Sequence, residues 1–214
     1  MFRDILLCIL AGYYFGGLSG GHITGKLYHV DVRQHGSGNL GATNVLRVLG
    51  KKAGALTLLI DLGKVILPIL LVRYVLFPEF IPFSAESQPM VLYLALGTVI
   101  GHNFPLGLEF HGGKGVACMG ATMLMFDWRL ALIGIISFCL IVAITKYVSL
   151  ASMVESVWFL IWVIFFTDSD PHMILVTAAF PALVIFMHRS NIARLINGTE
   201  NKIGQKKAKV NKEK

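Results

Sequence analysis

The chain has 214 residues, 55% of them hydrophobic and 14% charged, with a mean hydropathy of +0.69. Soluble domains carry about 25% charged residues, so water is excluded as the main solvent, and no soluble domain of useful size remains between the apolar runs. The formal net charge of +7 is spread between those runs rather than along one amphipathic face, which argues against a nucleic-acid partner and for membrane topology.

A helix needs about 20 apolar residues to cross a hydrocarbon core ~30 Å thick. In chain order, the apolar runs predict membrane segments over 3–25, 53–77, 90–108, 115–128, 129–146, 150–167 and 171–188. The expected fold is an all-α integral membrane protein, a bundle of seven transmembrane helices. The first run carries one basic residue, Arg3, and lacks a small-residue cleavage pattern, so it reads as a retained helix rather than a signal peptide. It holds two interleaved ladders, Gly12-Gly16-Gly20 and Gly17-Gly21-Gly25, each repeating every four residues. Such faces let backbones approach closely in lipid, and close packing within the chain is expected in preference to a dimer interface. In the second run, Asp61 and Lys64 stand at i and i+3, which predicts a mutual ion pair or support for a basic site. Glu155 in the sixth run is similar, with Lys64 or Arg47 as candidate partners. The fourth run is short and rich in Gly and Met. Cys8, Cys118 and Cys139 have no ligand-like spacing and read as packing residues, implying neither disulfide nor metal.

Placing the N-terminus outside puts Lys26, Arg33, Arg47, Lys51, Lys52, Lys114, Lys146 and the eight basic residues from Arg189 to Lys214 in the cytoplasm. Arg3, Arg73 and Arg129 remain outside, and Lys64 lies within a helix. Seven spans satisfy the positive-inside bias throughout, whereas six would leave the basic tail on the outer face. Residues 1–204 form one domain in this reading. The polar, basic segment 205–214 is expected to be disordered and drawn to anionic lipid.

Two glycine-rich segments interrupt the apolar pattern on the cytoplasmic side. The first runs from His35 to Asn44 and places Gly36, Gly38 and Gly41 at G-x-G-x-x-G spacing, with no strand before it. A lone segment of this kind is ordinarily a plain turn. Here Ser37, Thr43 and Arg47 adjoin it, and a helix begins after it, which favours an anion site. The second segment, Gly101-His102-Asn103-Phe104-Pro105 followed by His111-Gly112-Gly113-Lys114-Gly115, resembles a P-loop in its lysine. However, Leu108 stands where a P-loop needs glycine and Gly115 where it needs Ser or Thr, so ATP is not expected. Lys114 is either a solvated charge or a phosphate contact. Ser149 and Ser152 open the sixth span and would serve as helix caps or site groups. His188, Arg189 and Asn191 close the seventh.

These motifs resemble the family of bacterial acyl-phosphate:glycerol-3-phosphate acyltransferases. The similarity covers nearly the whole chain and is carried by Gly36-Ser37-Gly38-Asn39, Gly41-Ala42-Thr43-Asn44, Gly101 to Pro105, Gly112 to Ala117, His188-Arg189, Asn191-Ile192 and Asn197-Gly198-Thr199-Glu200. The resemblance implies a seven-helix inner-membrane enzyme with a cytoplasmic active site. Such an enzyme moves a fatty acyl group from acyl phosphate to the 1-hydroxyl of glycerol 3-phosphate, giving lysophosphatidate and phosphate. It implies no metal, no cofactor, no acyl-CoA and no acyl carrier protein, and a monomer or weak oligomer among membrane lipids. By motif it assigns catalysis to Ser37, Arg47, Lys114 and His188. Substrate phosphates would be bound by these with Gly38, Asn39, Thr43, Asn44, Gly112, Gly113, Ser149, Ser152 and Asn191. Cys118, Val65 and Ser190 depart from the family pattern, standing for Thr, Gly and Glu. Beside this reading stand a small organic-anion transporter and a membrane scaffold without chemistry. No inverted repeat is visible to favour the transporter, and the scaffold leaves the polar clusters without a role.

Overall fold

The computed structural model describes residues 2–76, 88–167 and 170–204. The basic tail predicted at 205–214 lies outside the described residues. Those described form α1 (Phe2–Gly16), α2 (Gly20–Leu27), α3 (Ala42–Leu49), α4 (Lys51–Leu71), α5 (Gln88–Asn103), α6 (Val116–Phe126), α7 (Trp128–Thr145), α8 (Val148–Phe166), α9 (Pro171–Met187) and α10 (Arg189–Ile196). Among the described residues, five stretches are long and apolar enough to cross a membrane, the first made of α1 and α2 together. A sixth arises if α9 and α10, bent by 57° at His188, count as one.

The segment predicted at 115–128 is a helix, but only 11 residues of it. At ~1.5 Å per residue it is about half as long as a ~30 Å hydrocarbon core. Asp127 ends it and caps α7 instead, accepting from the Arg129 N–H at 2.9 Å. What α6 lacks in length it makes up in burial, since Cys118, Met119, Ala121, Met123 and Phe126 are buried among its neighbours. Its Phe126 packs on Phe159 of α8, which packs on Phe180 of α9, with ring centroids 5.5 and 5.3 Å apart.

The expected packing of small residues within the chain is present, and its partner is α5. A Cβ on Gly12 or Gly16 would fall 2.0 Å from the Leu94 carbonyl oxygen or 2.2 Å from that of Thr98. Gly97 and Gly101 reciprocate, each 2.2 Å from a carbonyl oxygen of α1, those of Ile9 and Tyr13. The two helices therefore run parallel at a separation only glycine permits. The second ladder does not form one face. Gly17 meets only its own turn, whereas Gly21 packs on the Leu40 carbonyl and Gly25 on that of Val30. The physical reason is a break in the first run between Gly16 and Gly20, where Ser19 caps α2 by accepting from the His22 N–H.

That break explains Asp61 and Lys64. The ends of helices leave carbonyl and N–H groups without intrahelical partners. The Lys64 ammonium donates to the Gly16 and Leu18 carbonyls at 3.1 and 2.9 Å, and Asp61 Oδ1 accepts from the Gly20 N–H at 3.2 Å. The two side chains pair with each other at 3.0 Å, and His102 Nδ1 lies 2.7 Å from the Lys64 nitrogen. The ion pair is thus a structural clasp that closes α1, opens α2 and fastens both to α4 and α5. Glu155 takes neither expected partner. Its carboxylate lies between Gly120 of α6 and Gly134 of α7, while Lys64 is taken by Asp61 and the Gly16 and Leu18 carbonyls.

Contacts at the two ends of the bundle fix the helix directions. At one end the Arg73 guanidinium donates to the Met125 carbonyl at 3.0 Å, Arg129 lies over the Trp162 ring, and Tyr93 bonds His172. At the other end lie the motif-bearing loops. Helices α4, α6 and α8 run away from those loops, and α1, α5, α7 and α9 return to them.

Candidate active site

The first loop is organised from within by Asn44, which is buried. Its side-chain amide donates to the carbonyls of His35 and Asn39 at 3.1 and 3.0 Å, and its oxygen accepts from the Ser37 N–H at 2.9 Å. Gly36 and Gly38 turn through left-handed φ of 66° and 73°, and a Cβ on Gly36 would strike the Asn44 oxygen at 2.2 Å. Asn39 braces the start of α3 by accepting from the Gly41 N–H at 2.8 Å. Asn44 therefore folds the loop, and the Ser37 and Thr43 hydroxyls remain free among the described residues.

The second loop is tied back to α5. The Gly112 and Gly113 N–H groups donate to the Asn103 and His102 carbonyls at 3.1 and 3.0 Å. A Cβ on Gly112 would fall 1.9 Å from the His102 oxygen, and one on Gly113 2.0 Å from the His102 ring. Only glycine lets this turn lie flat on the end of α5, and the turn delivers Lys114 to the start of α6.

These loops and the starts of α8 and α10 enclose one cavity of about 680 Å³. Ser37, Asn39, Thr43, Asn44, Arg47, Lys114, Ser149, Ser152, His188 and Asn191 all line it, so residues predicted from four separate stretches of sequence are brought together. Gly38, Gly112 and Gly113 do not line it; they shape the loops that do. Five helices begin here, α3, α4, α6, α8 and α10, and none has a side-chain cap on its first turn. By contrast, α7 and α9 begin at the opposite end and are capped by Asp127 and Asp170. Each uncapped start carries unsatisfied N–H groups and about half a positive charge, and Arg47 and Lys114 add full charges. Chemically, such an arrangement can hold anions.

Sequence reasoning gave no role to Glu200, the carboxylate in this cationic setting. Its Oε1 accepts from Ser149 Oγ at 2.9 Å and from Asn191 Nδ2 at 2.7 Å, and its Oε2 from Arg194 Nε at 2.7 Å. This fixes the Asn191 amide with its oxygen toward Lys114, which donates to it. Burial raises the Glu200 pKa, but the bonds from Asn191, Arg194 and Ser149 outweigh it and hold the carboxyl below its ordinary range. Ser149 is thus committed to Glu200 and Ser152 Oγ to the Val148 carbonyl at 2.9 Å; neither caps α8. Burial brings Lys114 down to about 8, with Glu200 working against the fall and Arg194 and Arg47 adding to it. His188 Nδ1 lies 2.8 Å from the Val184 carbonyl and must donate to it, which leaves Nε2 as an acceptor. A short sequence signal for Glu200 existed: it follows the Asn197-Gly198-Thr199 turn nine residues after Asn191.

A family model described as glycerol-3-phosphate acyltransferase matches residues 6–198. The chain belongs to the glycerol-3-phosphate acyltransferase family. A glycerol-3-phosphate acyltransferase of Clostridioides difficile (strain 630) is 42% identical over 210 residues, covering 97% of this chain and 98% of the relative. One of Bacillus velezensis (strain DSM 23117 / BGSC 10A6 / LMG 26770 / FZB42) is 39% identical over 200 residues, covering 93% and 97%. Among solved structures, PlsY (YgiH), an integral membrane glycerol 3-phosphate acyltransferase, matches in its glycerol 3-phosphate form with a TM-score of 0.82 at 32% identity, covering 94% of this chain and 96% of that one. Its lysophosphatidic acid form matches with a TM-score of 0.79 at 33% identity, covering 94% and 95%. The family and the helical membrane fold inferred from the motifs therefore agree with these likenesses.

Beyond its cationic end the cavity continues as an apolar groove. Small residues of α6, Ala117, Gly120 and Ala121, form the floor between Leu58, Leu62 and Ile66 of α4 and Ala131, Ile135 and Phe138 of α7. Leu58, Leu124 and Ile135 at its rim are exposed on the side of the bundle, so the groove opens laterally.

Proposed function

We propose that the protein transfers a fatty acyl group from acyl phosphate to the 1-hydroxyl of glycerol 3-phosphate, giving lysophosphatidate and inorganic phosphate, the first step of phospholipid synthesis. The observation that carries this reading is the junction of an anion-binding end and a lateral apolar groove in one cavity. Both substrates are phosphates and one bears an alkyl chain. Two unit charges ~4 Å apart repel by about 4 kcal/mol at an effective dielectric near 20. Arg47, Lys114, Ser37 and the helix starts are the groups that offset this repulsion.

An acyl phosphate is already activated, so the chemistry needs no acyl-CoA, acyl carrier protein, metal or cofactor. The glycerol oxygen bonds to the acyl carbonyl carbon, and the bond from that carbon to the phosphate oxygen breaks. The phosphate leaves with the electron pair and ends with the hydroxyl proton. His188 Nε2 accepts from the glycerol hydroxyl and orients it, and positioning with electrostatics supplies most of the rate. All the groups come from one chain, so a monomer suffices.

The same reading places the protein in the bacterial cytoplasmic membrane with the N-terminus outside and the site at the inner face. Lys26, Arg33, Arg47, Lys51, Lys52, Lys114 and Lys146 stand at the site end, against Arg3, Arg73 and Arg129 at the other. Seven crossings follow if α6, short but enclosed by neighbours, counts as one.

The test is phosphate release by the purified protein in lipid mesophase. Release requiring both palmitoyl phosphate and glycerol 3-phosphate is expected; release only when palmitoyl-CoA replaces the acyl phosphate would overturn the donor. Lys114 loses its charge above about 8, so the attraction for phosphate is present below that pH and lost above it. The pH profile of kcat/KM for glycerol 3-phosphate should accordingly fall as pH rises through about 8, and a profile still rising there would contradict the role of Lys114.

A further inference from the structure

Glu155 lies in the groove and takes no part in the chemistry above. It is 7% exposed and lines the cavity. Its Oε1 sits 3.6 and 3.5 Å from where a Cβ would stand on Gly120 and Gly134, so two glycines on facing helices make the niche that holds it. Among the described residues it has no hydrogen bond and no ion pair. The hydroxyls of its helix neighbours are engaged elsewhere, Ser152 with the Val148 carbonyl and Ser156 with the Met153 carbonyl.

Ser149, at the cationic end, precedes Glu155 by six residues, about 9 Å along α8. A helical side chain leans toward the start of its helix, which brings the carboxyl level with Gly120, in the apolar part of the groove. An acyl chain attached at the cationic end and running outward over Ala117 and Ala121 passes this carboxyl. Water reaches the carboxyl through its remaining 7% exposure, by way of the cavity that it lines. A chain long enough to cover it removes that water and brings no donor in exchange, which is the costly way to bury a polar group. A chain that stops short leaves the carboxyl wet.

We infer that Glu155 is a specificity determinant of the acyl subsite, setting an upper limit on the chain length that gains from the groove. The inference rests on the acyl-transfer reading. Where methylenes are simply buried, each adds about fourfold to affinity. In the wild type this gain should stop at the length that reaches Glu155, and Glu155→Leu should restore it.

The experiment measures kcat/KM for a series of acyl phosphates from octanoyl to hexadecanoyl, at saturating glycerol 3-phosphate, in the wild type, Glu155→Leu and Glu155→Met. The expected result is a break in the wild-type series and a hexadecanoyl-to-octanoyl ratio about tenfold higher in either variant, with KM for glycerol 3-phosphate unchanged; tenfold corresponds to about 1.4 kcal/mol. An unbroken rise through hexadecanoyl in the wild type overturns the inference, and that series needs no variant to fold. So does a ratio within twofold of the wild type in a folded variant. A wild-type protein that releases phosphate from none of the acyl phosphates fails the acyl-transfer reading itself, a different result from an active enzyme with an unbroken series.

Discussion

Replacing Arg47 with alanine should lower kcat/KM for glycerol 3-phosphate by at least about 100-fold, the scale for losing one preorganised group that stabilises developing charge, with thermal stability unchanged. Arg47 projects from the last turn of α3, lines the cavity and makes no hydrogen bond or ion pair among the described residues. Truncating it therefore removes no hydrogen bond or ion pair of the described residues; it removes a charge that faces the cavity. A variant that keeps activity within a few-fold of the wild type would show that the phosphates lie elsewhere. A variant that unfolds would show that Arg47 holds the structure, which nothing around it suggests.

Gly112→Ala should cost activity on the same scale by a different route. The new Cβ would meet the backbone oxygen of His102 at 1.9 Å and Pro105 Cδ at 2.7 Å, so the turn must lift from the end of α5. Lys114, two residues on, moves with it and leaves Asn191 and the cavity. Misplacing a catalytic group by ~1 Å can cost about 100-fold. Gly107→Ala, in the same connection, meets nothing within 4 Å and should leave turnover and stability as they are. Steady-state kinetics and melting curves on the pair separate a precise turn from a generally sensitive loop. Equal activities for the two variants would contradict this account of Gly112.

Much of this was legible in the residues because the relevant signals are local. Ser37, Arg47, Lys114, His188 and Asn191 each sit where an apolar run gives way to glycine or polar residues, and such junctions mark helix ends at a membrane face. Period-four glycines announced close packing, and an aspartate three residues before a lysine announced a buried pair. What escaped depends on partners distant in sequence. Gly97 and Gly101 mean little until α5 is laid against α1. The break after Gly16 is invisible because the run stays apolar through Leu18, and only Lys64, 48 residues away, shows which carbonyls were freed. Glu200 closes a motif of the resemblance but carries no role in the sequence; the role appears only when Ser149, Asn191 and Arg194 converge on it. The predicted run reaches 128 although α6 ends at Phe126, because Asp127 is the cap of the next helix and Trp128 its first residue. The absence of caps on five helix starts also has no sequence signal apart from the three glycines, Tyr147 and His188 that stand in place of Ser, Thr or Asp.

One cavity gathers Arg47, Lys114 and five helix starts, and under the proposed function it is the seat for phosphate. Calorimetric titration of glycerol 3-phosphate into the wild type and Arg47→Ala at neutral pH, in low and high salt, tests it without any turnover. Saturable binding in the wild type that weakens as salt rises, and falls at least about tenfold in the variant, is the predicted result. Binding of equal strength in the two proteins, insensitive to salt, would contradict it.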